Sequence, residues 1–323
     1  MGRKKIILIS ISLFLVVLVL VITVLLYGNF IKEQKYGNTE GNIVNSLSHV
    51  TSDEKFTYIA LYTGIYRGTD ISSLRKIADG DYSDLNYMEG KLFAYNIESD
   101  EIISMKIDGT EKEVLYKGNI LGPWVVNNNI FFKDIEKSSY FKMKMNGSSF
   151  LIKIKPKWGA EEQWVYTELK DRDYEYDLLK RGCNIEESQH ADGAVYVIEQ
   201  LDDKTPPNRE LYRYEYGADE GVLLAEDIFR FNISEDKIYY LASGENKSEL
   251  CVMRMGLDGS QKEEITKILL DEPVNAAGVG VGQEILCLSI ALEPDLNHVL
   301  FLVDIETGEY VQVMKDDTFV SPE

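Results

Sequence analysis

Three observations predict an all-β propeller of six blades, or seven if an irregular central stretch is counted, behind one N-terminal transmembrane helix. A cassette of aromatic strand, polar turn, alternating strand and tight Asp-Gly turn recurs along the chain, best seen from Lys237 to Glu264. Its aromatic strands repeat every 35–47 residues except across one gap of 65, and a period near 40 with several short strands per unit is the mark of a propeller blade. An uncharged run from Ile6 to Leu26 precedes the repeats.

The composition agrees. In 323 residues there are 20 Tyr and 12 Phe but only 7 Pro, which suits many short strands better than disorder. Residues 1–40 hold five Lys/Arg against two Glu, or +3, so residues 41–323 carry −23 of the −20 total. That acidity speaks against nucleic acid and anionic lipid headgroups as partners, fits cations or basic peptides, and is also what keeps an exposed domain soluble.

Residues 1–5 include Arg3-Lys4-Lys5 and form a short basic tail expected to stay in the cytoplasm. Residues 6–27 form the expected signal anchor: twenty-one helical residues span about 30 Å, and Tyr27 stands where an interfacial aromatic belongs. No Ala-x-Ala cleavage site and no lipid-accepting Cys follow the run, so it is expected to remain uncleaved and to place the rest of the chain outside the cytoplasm. Residues 28–53, polar and without apolar periodicity, are expected to be a linker.

Residues 54–323 are the expected propeller. The sharpest mark is Met-x-apolar-Asp/Asn-Gly, at Met105-Lys106-Ile107-Asp108-Gly109, Met143-Lys144-Met145-Asn146-Gly147 and Met255-Gly256-Leu257-Asp258-Gly259, each followed by Ser or Thr. Asp-Gly between strand patterns signals a tight turn, because glycine accepts positive φ and aspartate tolerates it. The Met positions recur in one register, which points to packing between blades. With the aromatic strand as a ruler, anchors fall at Tyr58, Phe93, Phe131, Tyr196, Tyr239 and Leu286. The long gap between Phe131 and Tyr196 holds either a degenerate seventh blade around Trp164-Val165-Tyr166 or an elaborated loop.

The combination of Ile238-Tyr239-Tyr240, an alternating strand and Asp258-Gly259-Ser260-x-Lys262 resembles the YWTD-type propellers of low-density-lipoprotein-receptor relatives. It is most similar to a bacterial domain of unknown function described as an LRP1-like β-propeller, often behind a membrane anchor. The resemblance spans roughly residues 56–315, although no literal Tyr-Trp-Thr-Asp is present. It implies a propeller fold and carries no established activity.

No catalytic or cofactor-binding residues emerge. His49, His190 and His298 are isolated, no GxSxG elbow exists, and His190-Ala191-Asp192 reads as surface polarity. Cys183, Cys251 and Cys287 form no metal-binding spacing, and pairing of Cys251 with Cys287 is left open. Gly278-Val279-Gly280-Val281-Gly282 lacks the dinucleotide-binding spacing and reads as a turn or bulge. No EF-hand loop occurs, which leaves open a calcium site built from separate loops. Neighbouring carboxylates such as Asp202-Asp203 point to opposite faces of a strand, so paired acid–base chemistry would need residues from different blades to meet at the axis. Trp124, Trp158 and Trp164 are the candidate ligand-binding residues, able to stack on sugars or anchor a peptide if exposed and otherwise packing side chains. The function this predicts is a non-catalytic platform for an extracytoplasmic protein, peptide or envelope component. The alternative is an enzyme that processes envelope glycans or peptides with axial carboxylates.

Overall fold

The computed structural model describes residues 38–45, 49–126, 128–146, 152–154, 185–201, 208–315 and 318–319. Among them lie one short helix, α1 (Glu40–Asn45), a single 3-10 turn (Ile71–Ser73), and twenty-five strands in six antiparallel sheets. Blade 1 is β1 (Val50–Ser52), β2 (Thr57–Leu61), β3 (Gly64–Gly68) and β4 (Arg75–Asp79). Blade 2 is β5 (Tyr82–Met88), β6 (Lys91–Asn96), β7 (Glu101–Lys106) and β8 (Glu113–Lys117). Blade 3 is β9 (Ile120–Val126), β10 (Asn129–Asp134), β11 (Ser139–Lys144) and β12 (Ile152–Ile154). Blade 4 is β13 (Ile185–Ala191), β14 (Ala194–Gln200), β15 (Arg209–Glu215) and β16 (Val222–Glu226). Blade 5 is β17 (Ile228–Ser234), β18 (Lys237–Ser243), β19 (Glu249–Gly256) and β20 (Glu263–Leu269). Blade 6 is β21 (Val274–Val281), β22 (Ile285–Leu292), β23 (Asn297–Asp304), β24 (Tyr310–Lys315) and the two-residue β25 (Thr318–Phe319).

Each sheet is four strands consecutive in sequence, with a fifth added in blade 6, and first strands of neighbouring blades touch between blades 1 and 2, 2 and 3, 4 and 5, 5 and 6, and 6 and 1, so they form the inner ring of a propeller. The six anchors fall on second strands, flanked by partners on both sides. Phe93, Phe131 and Tyr196 are fully buried there, each contributing about 2–3 kcal/mol of apolar burial. The recurring methionines are inter-blade residues, as their register suggests. Met105 packs in the cluster shared by blades 1 and 2, Met143 in that of blades 2 and 3, and Met255 in that of blades 4 and 5.

The Asp-Gly turns have a second role. Asp108 and Asp258 accept the backbone N–H two residues on, at 3.0 and 2.9 Å, and so fix the turn. Gly109 has φ +83°, and a Cβ there would lie 1.9 Å from the Ile77 carbonyl oxygen on β4; at Gly259 it would meet Leu224 of β16 at 2.9 Å, and at Gly308 the Ile265 carbonyl of β20 at 2.4 Å. Glycine therefore lets the third-to-fourth-strand turns of blades 2, 5 and 6 press against the outer strand of the preceding blade.

Two readings change. Of the expected linker 28–53, residues 38–45 and 49–53 belong to the ring: Glu40, Asn42 and Ile43 of α1 are buried and β1 pairs with β2. The error has a physical source, since these polar side chains serve backbone groups at the axis rather than water. Residues Gly278–Val281 form the end of β21, not a turn. The run Ile6–Leu26, Cys183, Trp158, Trp164 and the suggested seventh blade lie outside the described residues, and among the described residues no helix is long and apolar enough to cross a membrane.

Candidate functional site

Two places on the ring bear on function, the axis and the seam between the last blade and the first. At the axis the inner edge of each first strand has no further strand to pair with, so its N–H and C=O groups need other partners. The position that pairs with the anchor strand is Asn86 in blade 2, Gln189 in blade 4 and Asn232 in blade 5. Each carboxamide bridges to the inner strand of the next blade. Asn86 donates to the Pro123 carbonyl at 2.9 Å and accepts from Val125 N–H at 3.2 Å. Gln189 donates to the Phe231 carbonyl at 2.8 Å and accepts from Ile233 N–H at 2.9 Å. Asn232 donates to the Val279 carbonyl at 2.9 Å.

At this position blade 1 has Thr51, blade 3 Trp124 and blade 6 Val281, and in blade 6 the groups that side chains bond are the Val279 carbonyl and Val281 N–H on either side of Gly280. The missing amides come from α1. Thr39 starts the helix by accepting Asn42 N–H at 2.9 Å, and its hydroxyl donates to the Asn232 side chain at 2.9 Å. Asn42 accepts from Val281 N–H at 2.6 Å and from Asn232 at 2.7 Å, and donates to the carbonyls of Val281 at 2.8 Å and Val50 at 3.1 Å and to Asn38 at 2.7 Å. Asn38 in turn donates to the Leu85 carbonyl at 2.7 Å. Glu40 accepts His190 N–H at 2.8 Å and lies 3.2 Å from His190 Nδ1. The helix and the two residues before it thus bond to the first strands of blades 1, 2, 4, 5 and 6. A Cβ at Gly41 would sit 2.4 Å from the Asn232 amide, so only glycine lets the helix approach this closely.

Sequence reasoning placed His190 on the surface, yet its side chain is 5% exposed against Glu40. The carboxylates at the axis, Glu40 and Glu187, are 7% and 1% exposed. Trp124 is buried on β9, 3% exposed. Cys251 and Cys287 are both free thiols, and burial pushes Cys287 up to about 12. Among the described residues no group of three or more His, Cys, Asp or Glu is placed to hold a metal ion.

The seam is different. Apolar residues of both blades pack in its inner part, Val50, Ile59 and Leu61 against Ile285, Cys287 and Leu302. Blade 1, like blades 4 and 6, lacks the Met-x-apolar-Asp/Asn-Gly cassette, and its third-to-fourth-strand connection alone carries no glycine in the sequence. Its third-to-fourth-strand connection is instead the 3-10 turn Ile71–Ser73, capped by Asp70. Where the turns of blades 2, 5 and 6 press on the preceding outer strand, a cleft of about 1000 Å³ remains between this turn and β24. Its floor includes Leu61, Tyr66, Leu74, Leu302, Val311 and Val313, and Asp70, Asp304 and Glu309 stand among its lining residues. Tyr310 at the rim is 41% exposed. Hydrogen bonds from Ser72, Thr69 and Ser73 hold the Asp70 carboxyl below its usual range, so it stays ionised.

No protein-family model matches the chain, and no curated protein matches it. Among solved structures, the apo AtxE2 isopeptidase aligns with 88% of this chain and 54% of its own at 11% identity, with TM-score 0.45. TolB from Acinetobacter baumannii aligns with 82% and 63% at 11% identity and TM-score 0.37, and a nidogen–laminin complex with 80% and 92% at 10% identity and TM-score 0.35. The chain spans about half the length of the isopeptidase. At these identities and scores the likeness says nothing of substrate or partner.

Proposed function

We propose that this chain is a single-pass membrane protein whose propeller lies outside the cytoplasm and serves as a non-catalytic platform for a protein, peptide or envelope component. The carrying observation is the division of labour between axis and seam. At the axis, α1 takes the space where carboxylates from several blades would have to meet for acid–base chemistry, and Glu40 and Glu187 there are buried and hydrogen-bonded. The seam cleft offers apolar floor and acidic rim but no His or Cys among its lining residues, which suits binding better than nucleophilic catalysis. The basic tail and apolar run at residues 3–26 supply the anchoring part of the reading.

The test is a photo-reactive amino acid placed at Tyr310 in the full chain, cross-linked in the native envelope and read by mass spectrometry. The platform reading expects one dominant cross-linked product absent from a matched probe at Glu220 on blade 4. Envelope glycan or peptide that is trimmed on incubation with the purified chain would sink it.

A further inference from the structure

We propose that the seam cleft docks a segment of a partner protein that carries apolar anchor side chains flanked by lysine or arginine. This deepens the platform reading and rests on it. The apolar floor between the 3-10 turn and β24 would be covered by such anchors, and Tyr310 offers an exposed ring at its edge.

The charge around the cleft selects the flanks. Every ionisable carboxylate or cation in the lining is a carboxylate: Asp70, Asp304 and Glu309. Lys76 lies beside the cleft rather than in its lining, with its ammonium 5.7 Å from the Tyr66 ring centre and 3.1 Å from Asp79. The negative field extends past the lining. Glu284 has its pKa raised by burial and by the carboxylates of Glu306, Asp304 and Glu235. Two rim carboxylates are held in place before any partner arrives. Asp70 accepts Ser73 N–H at 2.9 Å and the Ser72 hydroxyl at 2.6 Å, and Asp304 accepts Thr307 N–H at 2.8 Å. Preset carboxylates lose little conformational freedom on binding. An acidic segment would be repelled, and a neutral polar one would strip water from these groups without replacing it. Anionic lipid and nucleic acid are disfavoured by the same field.

At the seam the repeat itself makes room, because the blade 1 connection carries no turn glycine. The glycine turns of blades 2, 5 and 6 close against their preceding neighbours, and blade 1 has no such turn to close against blade 6.

The experiment uses the full chain in mild detergent and short fluorescent peptides in four sets. Apolar anchors are flanked by Lys/Arg, by Ser or by Glu, and a fourth set keeps the Lys/Arg but lacks the anchors. Only the first set should raise fluorescence anisotropy, with hydrogen-exchange protection gained over residues 307–313. Glu309→Lys should weaken binding about five- to tenfold, Tyr310→Ala should weaken it further when combined, and Glu220→Lys on blade 4 should leave it unchanged. Equal binding of the Ser- or Glu-flanked set, equal binding without anchors, equal loss from the two charge reversals, or no binding up to millimolar peptide each overturns the proposal. The Tyr310 cross-link separates the two layers. A captured protein whose linked segment is not basic and apolar, or a link to residues 1–37 of the same chain, overturns this inference alone, whereas capture of no protein removes the platform as well.

Discussion

Replacing Asn42 by alanine removes five side-chain hydrogen bonds at once, to Asn38, Val50, Asn232 and both backbone groups of Val281. Asn42 is 1% exposed, so its partners face no bulk water when it goes. A buried group left unpaired costs roughly 1–3 kcal/mol, and a water entering the space vacated by the amide would restore some of these bonds. The expected loss is therefore about 3–5 kcal/mol, or about 6–15 °C in melting temperature for a domain of this size. Local hydrogen exchange gives a sharper readout. Val281 sits on the inner edge of β21, and its N–H points to Asn42 rather than to a strand. In Asn42→Ala that amide should exchange faster by an order of magnitude or more under native conditions, while amides inside β22 keep their protection. Asn42→Asp should be no better, since it keeps the acceptor but loses both donors and sets a carboxylate against two carbonyls. A stability change under about 1 kcal/mol together with unchanged Val281 protection would refute the claim that α1 closes the ring.

Gly109→Ala should cost about 3 kcal/mol or more, because it adds a clash with the Ile77 carbonyl to the usual left-handed penalty; Gly90→Ala, with φ +79° and nothing within 4 Å of its Cβ, should cost only about 1–2. Equal melting temperatures for the two variants would show that the turn does not bear on the neighbouring blade. Glu284→Gln should stabilise the protein at pH 7 by roughly 0.3–0.5 kcal/mol after solvent screening, near 1–2 °C. The sign follows from its raised folded-state pKa: the native state holds the proton more tightly than the unfolded state, so stability falls as pH rises past the ordinary value of 4.5, and the advantage of the variant should vanish below it. Cys287 should resist thiol reagents at pH 8, because a pKa of about 12 leaves on the order of one thiolate in ten thousand. Native-state labelling followed by peptide mass spectrometry checks this, and modification at the rate of a free thiol would contradict the burial of β22.

Much of the ring was legible in the sequence because its signals are local. An aromatic at the centre of a second strand and a glycine in a tight turn are dictated by residues a few positions away, so Tyr58, Phe93, Phe131, Tyr196 and Tyr239 mark their strands well. The axis was not legible. Asn38, Thr39 and Asn42 look like solvated linker until their partners are known, and those partners stand as far as 239 residues away. Polar side chains that satisfy inner-strand backbone carry no periodicity to betray them. His190 was misplaced for the same reason, since the carboxylate that contacts it comes from α1. The glycines of β21 suggested a turn because strands seldom space them so closely, and Gly280 lies between Val279 and Val281, whose backbone groups bond to Asn232 and Asn42. The seam cleft has a faint trace, the missing turn glycine of blade 1, readable only when all blades are laid side by side.

The ring's connectivity also sets an order of assembly. Each blade consists of neighbouring strands, so blades 1 to 5 can form one after another as the chain is made. Asn42 emerges before any of them, but Val281, which supplies two of its bonds, is made 239 residues later. At about 5–20 residues per second, that is a wait of roughly 10–50 s. During that interval the helix can bond to blades 1, 2, 4 and 5 as each appears, but both Val281 groups are missing, and the arrival of the last blade turns the earliest-made segment of the ring into the final piece to lock.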